Sequence, residues 1–139
     1  MRQFSISIRV ETRGRGLVDV TRSVREWIEP HRMQSGLVTL FCRHTSASLV
    51  IQENAAPEVR SDLEAYFDRI APEDPRLYAH DDEGPDDMPA HIRAALTGVS
   101  LSIPLIEGRL ALGAWQGIYL FEHRRWPHRR EVAAHAIGD

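Results

Sequence analysis

The chain has 139 residues, a net charge of -3, one cysteine, and seventeen basic residues that are all arginine. The length predicts one domain, residues 1–139, that buries roughly two-thirds of its unfolded surface in one core, and the near-average apolar content of 42% argues against disorder. Without lysine there is no Schiff base and no P-loop lysine, the acidic balance does not favour nucleic acid, no run reaches the roughly 18 apolar residues of a membrane span, and lone Cys42 points to a cytoplasmic protein without an internal disulfide.

Phe4, Ile6, Ile8 and Val10 alternate with Ser5, Ser7 and Arg9, which predicts a half-buried strand. Gly14 and Gly16 interrupt it, and residues 17–20 read as a short second strand. Thr21 is placed to cap a helix carrying Val20, Val24, Trp27 and Ile28 on one stripe, ending before Gly36. Residues 37–42 form a continuous apolar strand that runs into His44, Thr45 and Ser46, as the first arm of a hairpin. The second arm, 47–51, reaches Glu53. Pro57 suits the first turn of a helix with Val59, Leu63, Phe67 and Ile70 on its apolar face.

From 71 to 87 runs an acidic, proline-rich loop holding Tyr78, His80, Asp81, Asp82, Glu83, Asp86 and Asp87. A loop this long in a compact domain is functional or disordered. Pro89 is expected to open a short helix with Ile92, Ala95 and Leu96 inward, closed by Gly98, with Asp86 and Asp87 as its caps. The remainder predicts strands over 99–106, 109–112, 115–122 and 131–137, with a turn at Glu107-Gly108. The sum is α+β: largely antiparallel β-sheet or sandwich, with three modest helices.

Neutral imidazole is the commonest protein metal ligand, so the histidines come first. His44 follows the strand face of Val38, Leu40 and Cys42, His80 sits in the acidic loop, and His91 lies near a helix start. Converging, they would make a three-histidine centre with an open position for water or substrate. The spacing alone is weak, lacking any short fixed motif, and satisfied or surface histidines are the alternative. His31, His128 and His135 read as surface residues.

Other candidates have two readings each. Glu53 is a general base, a partner to a ligand histidine, or a solvated strand end. Thr45 and Ser46 either bond an anionic substrate or shape a turn. Asp86 and Asp87 cap a helix or orient His80 and His91. Trp115 and Gln116 precede Gly117, where a ligand can approach strand backbone; otherwise Trp115 is core. Arg124, Arg129 and Arg130 form a phosphate clamp or a surface cluster. Cys42 is read as buried and inert rather than as a nucleophile beside His44.

The segments His44-Thr45-Ser46-Ala47, Glu53-Asn54-Ala55, Tyr78-Ala79-His80, Gly84-Pro85-Asp86-Asp87-Met88-Pro89-Ala90-His91, Ile103-Pro104-Leu105, Leu112-Gly113-Ala114-Trp115-Gln116-Gly117-Ile118 and Glu122-His123-Arg124 occur in the order of the YjbQ-like family, which the chain resembles over nearly its whole length. Ala114 departs from the family's usual threonine. The family's members are called secondary thiamine-phosphate synthases. The resemblance implies a homotrimer with His44, His80 and His91 around zinc near the subunit boundary. It also implies a small phosphorylated substrate: a pyrimidine diphosphate joined to a thiazole phosphate with loss of pyrophosphate, and magnesium riding on the diphosphate. In that reaction Arg124 or Arg130 would hold phosphate, with Thr45, Ser46, Trp115 and Gln116 around the substrate and Glu53 as a catalytic group. A metal-dependent ester or phosphoester hydrolase and a non-catalytic trimer binding a metal or anion are the alternatives.

Overall fold

The alternating segment at the N-terminus becomes the first edge of a larger sheet. In the computed structural model, which describes residues 1–139, the order is β1 (Arg2–Glu11), β2 (Gly16–Asp19), α1 (Thr21–Ile28), β3 (Ser35–Cys42), β4 (Ala47–Glu53), α2 (Pro57–Ile70), α3 (Asp87–Thr97), β5 (Ser100–Ile106), β6 (Arg109–Leu110), β7 (Gln116–Glu122) and β8 (Arg129–Gly138), with single 3-10 turns at Glu29–His31 and Pro75–Leu77. One sheet has the strand order β1-β8-β3-β5-β6 and a smaller one β2-β7-β4. All the pairings are antiparallel. The α+β expectation, with its three helices, is what the chain adopts. No helix is long and apolar enough to cross a membrane.

Period-two patterning sets the layers. Val38, Leu40 and Cys42 of β3, Ile103 and Leu105 of β5, and Val132, Ala134 and Ala136 of β8 face Leu49 of β4 and Ile118 and Leu120 of β7, with Val24 and Ile28 of α1 closing one end. The opposite face of the small sheet is covered by the long helices: Phe67 of α2 meets Phe121 edge-on at 5.6 Å, and Thr97 of α3 bonds Ser48. Both faces of β7 are therefore buried, as its burial pattern shows. The outer face of the large sheet carries no helix. There the register aligns Leu37 with Pro104 and Ile137, and Leu37 and Phe41 are 39% and 47% exposed.

Several local expectations change. β3 and β4 do not form a hairpin; they lie in different sheets, so residues 43–46 turn a corner between layers. Asp19, not Thr21, serves the start of α1: its Oδ1 accepts the Thr21 N–H, while the Thr21 hydroxyl accepts the N–H of Ile118. α3 begins at Asp87, two residues before the expected Pro89, and buries Ala90, Arg93 and Ala94. Ala95 and Leu96 face outward. Arg93 can occupy that inward position because Glu64 and Asp68 of α2 receive its guanidinium.

A buried polar network runs where the sheets meet. Glu122, at the end of β7, accepts the Thr12 hydroxyl at 2.6 Å and Arg130 Nε at 2.9 Å, and its other oxygen takes the backbone N–H groups of His123 and Arg124. Arg130 also reaches the carbonyl and hydroxyl of Ser46. Removing one partner of such a pair strands the other charge in the interior, which costs about 3–5 kcal/mol. Arg130→Met is expected to lose about that much in urea unfolding, whereas Arg129→Met, on an exposed ion pair with Glu11, is expected to lose under about 1 kcal/mol.

His123 is 1% exposed, and its Nε2 lies 2.8 Å from the Ser48 hydroxyl. Burial, then the charges of Arg93, Arg130 and Arg15, hold its pKa down at about 3. The unfolded imidazole takes a proton near pH 6.5, so between 6.5 and about 3 the unfolded chain binds more protons and stability falls as pH falls. His123→Gln is expected to flatten the unfolding free energy between pH 6.5 and 4, measured by urea titration against the parent protein.

A candidate metal centre at the start of helix α3

Asp87 opens α3 and His91 follows one turn later, so carboxylate and imidazole project from the same side of the helix. The preceding loop brings His80 to the same point. Nε2 of His80 and Nε2 of His91 lie 2.8 and 3.0 Å from one oxygen, Oδ2 of Asp87. These three donor atoms all fall within 4.8 Å of one another. Asp87 is buried, and its other oxygen accepts Arg124 Nη1 at 2.8 Å. Arg124 also holds Asp86 through Nε at 2.9 Å and donates to the Glu83 carbonyl. Burial pushes the Asp87 carboxyl up, but His80, His91 and Arg124 outweigh it and leave it below the usual range. The Asp87 hydrogen bond in turn raises His80.

The ring orientation of His91 fixes its chemistry. Its Nδ1 lies 2.8 Å from the carbonyl of Thr45, so Nδ1 must carry the proton. In the neutral ring Nε2 is then a lone pair directed at a carboxylate oxygen. A carbonyl on one nitrogen and an acceptor-rich cluster on the other is the arrangement that orients a metal-ligating histidine. A divalent cation with bonds of about 2 Å satisfies His80, Asp87 and His91 together, so the residues fit a metal.

His44 is placed differently from the three-histidine expectation. Its Nε2 accepts the Glu131 backbone N–H at 2.7 Å, one residue beyond the last β3–β8 pair, Cys42 with Val132. Burial and then Arg130 lower its pKa, and the neutral ring presents Nδ1–H. It does share a cleft of about 500 Å³ with His91, Thr45, Ala94, Ala95 and Val99. Asp87 thus stands with His80 and His91 where His44 was expected.

The remaining candidates separate. Thr45 is exposed on the cleft and orients His91 through its carbonyl. Ser46 and Arg130 are 8% and 4% exposed and belong to the Glu122 network, so neither reaches a substrate. Arg124 is engaged by Asp86 and Asp87 and offers no free edge for phosphate. Glu53 accepts the N–H groups of Ala55 and Ala56 ahead of α2. It pairs with Gln116 at the far end of β4, whereas Ala47 pairs with Glu122 at the near end. At ~3.3 Å per residue those ends are about 20 Å apart, so Glu53, Trp115 and Gln116 lie away from the histidines. Gly117 makes room for the ring of Tyr119, since a Cβ would come within 2.9 Å of it; the freedom is used for packing. Trp115 is 67% exposed rather than core. Cys42 is buried, as expected, and burial raises its thiol pKa.

Asp87 as a donor and Glu122 as the buried anion escaped sequence reading. The Asp87/His91 spacing was a usable signal, hidden by starting the helix at Pro89.

An antiparallel α+β sandwich with a His–Asp–His cluster at one edge defines the structural class. A family model described as "UPF0047 protein YjbQ-like" matches residues 6–139, and the chain belongs to that family. A UPF0047 protein of Synechocystis sp. is 49% identical over 138 residues, covering 99% of this chain and 94% of that protein. The YjbQ protein of Escherichia coli O157:H7 is 39% identical, over 99% and 98% of the two chains. A crystal structure of a yjbq/upf0047 family protein from Clostridium acetobutylicum, 33% identical over 95% of this chain and 99% of that one, superposes with a TM-score of 0.86. A Sulfolobus solfataricus structure at 24% identity, covering 99% of both chains, reaches 0.90 and bears on fold alone.

Since Arg124 fixes Asp87, Arg124→Met is expected to weaken zinc binding about 10–100-fold by calorimetry, with the circular dichroism spectrum kept. Unchanged affinity would show that Asp87 is held without it.

Proposed function

We propose that this chain is a metal-dependent enzyme acting on a small phosphorylated molecule, with His80, Asp87 and His91 holding the metal. The observation that carries the reading is the pair of imidazole Nε2 atoms meeting on one Asp87 oxygen while His91 Nδ1 is committed to the Thr45 carbonyl. Zinc bound there would supply Lewis acidity, for a departing pyrophosphate or for a water nucleophile. The chain's own groups do the rest. Arg124 keeps the carboxylate oriented, Thr45 fixes the His91 tautomer, and His44 offers a neutral Nδ1–H donor to the cleft. Ala94, Ala95 and Val99 give that cleft an apolar wall suited to a flat ring.

The specific reaction we favour is the one the resemblance implies: a pyrimidine diphosphate combines with a thiazole phosphate to give thiamine phosphate and pyrophosphate. Hydrolysis of an ester or phosphoester is the second reading, favoured by the accessibility of His80 to water, since its side chain is 42% exposed. Assembly as a homotrimer belongs to the same proposal, and the helix-free outer face of the large sheet, with Leu37, Phe41 and Ile106 exposed, supports self-association.

Metal content and product release test this together. Wild-type protein is expected to hold about one zinc per chain by elemental analysis, and His80→Ala, Asp87→Ala and His91→Ala to lose it, while His44→Ala keeps metal. Pyrophosphate released only when thiazole phosphate is present supports the transferase. Release in water alone supports the hydrolase, and metal binding without turnover overturns the enzyme reading.

A further inference from the structure

The end of the small sheet opposite the histidines carries a second cleft, of about 670 Å³, between α1 and the chain entering β7. Asp19, Arg22, Arg25, Asn54, Gly113 and Gln116 are among its lining residues. It continues into a cleft of about 370 Å³ that shares Arg25 and Leu112 and adds Arg109. Three guanidinium groups therefore border one groove. Arg22 pairs with Glu26, an exposed i,i+4 partner, which holds it weakly. Arg25 and Arg109 make no ion pair.

The opposing wall is built before any ligand arrives. Asn54 donates its side-chain amide to the carbonyls of Ala114 and Gln116, and its backbone N–H to that of Trp115. Gln116 Oε1 accepts the Gly113 N–H at 2.8 Å, and the Gln116 N–H returns to the Gly113 carbonyl at 3.0 Å. The amide oxygen of Gln116 is thus used internally, and its Nε2–H groups are left as donors. Asp19 is the acid on the same wall, and one of its oxygens is committed to the Thr21 N–H. Glu29 is the acid of the adjoining cleft. Arg22 answers Glu26, so what the groove offers an anion is the two fork-shaped guanidiniums of Arg25 and Arg109, which lack ion pairs of their own, the chemistry that recognises a phosphate dianion.

The metal end contrasts with this. Arg43, Arg124 and Arg130, arginines adjoining the histidines, all meet carboxylates. From these observations we propose that the α1 groove is a second ligand site, which takes a small phosphate monoester: the phosphate sits between Arg25 and Arg109, Gln116 Nε2 donates to it, and Asp19 accepts from a hydroxyl of the organic part. The site is independent of the metal centre and of the reaction assigned to it.

The test is a titration of the full chain with glycerol 3-phosphate, followed by amide and side-chain NMR, with glycerol and acetate as controls. Saturable shifts are expected at the Gly113 N–H and the Gln116 side-chain amide. Arg25→Gln or Arg109→Gln is expected to weaken binding about tenfold or more, the loss of one charge-assisted hydrogen bond. His80→Ala is expected to leave it unchanged. Linear, non-saturating shifts, equal binding of acetate, or binding lost in His80→Ala but kept in both arginine variants would each overturn the proposal. Because His80→Ala removes the metal site alone, failure here and failure of the metal reading are told apart.

Discussion

The carboxylate of Glu122 is the constraint from which most of the molecule follows. It is fully buried at the end of β7, and an isolated anion there would be unaffordable. Its satisfaction requires Thr12 from the segment after β1, Arg130 from β8, and the backbone of His123 and Arg124. Through Arg130 it also fixes Ser46, in the corner between β3 and β4. One carboxylate thus ties the large sheet to the small one at the point where the chain passes between them. Hydrophobic contact between the sheets is non-directional and tolerates sliding; a hydrogen-bonded ion pair does not.

The same constraint reaches the candidate metal centre. The Glu122 oxygen that bonds the Arg124 N–H sets where the Arg124 side chain starts, and that side chain spans Asp86, Asp87 and the Glu83 carbonyl. The loop holding His80 is therefore anchored at its C-terminal end by a guanidinium fork, a geometry an ammonium could not reproduce. His91 is fixed from the other direction, by the Thr45 carbonyl in the very corner that Arg130 stabilises. Both sides of the donor cluster thus trace back to one buried charge network, and the site rests on rigid elements even though His80 itself is on a loop.

What was legible in the sequence was what periodicity and punctuation encode. Strand alternation in residues 4–10, the glycine breaks at 14 and 16, and the Glu107-Gly108 turn all appear in the structure, with positive φ at both turn residues. So does the partition into strands and three helices. Pairing was harder. Nothing local distinguishes a hairpin at residues 43–46 from a corner between layers, because the difference lies in partners contributed by β7 and β8. Nothing local marks Arg93 as an inward residue, because the acids that receive it, Glu64 and Asp68, are 29 and 25 positions away. For the site, His80 and His91 were found by residue type, while Asp87 was obscured because a helix start at Pro89 placed it outside the helix. The expected phosphate clamp failed for a related reason: counting arginines does not reveal which are already paired.

That distinction also explains how the charges are distributed. The arginines adjoining the histidine cleft are consumed in structure, so the cleft's own walls are apolar and its polarity comes from His44, His91 and Thr45. At the other end of β4 and β7, Glu53, Asn54 and Gln116 are consumed in shaping a turn, and two of the arginines beside it, Arg25 and Arg109, make no ion pair. A small sheet buried on both faces offers ligands only its two ends, and here the ends have been given opposite chemistry. One end gathers nitrogen and oxygen donors for a cation beside an apolar wall, while the other presents guanidinium groups and amide donors suited to an anion. Such a division avoids placing a free guanidinium next to the proposed metal site, where the two like charges would raise the cost of binding a cation.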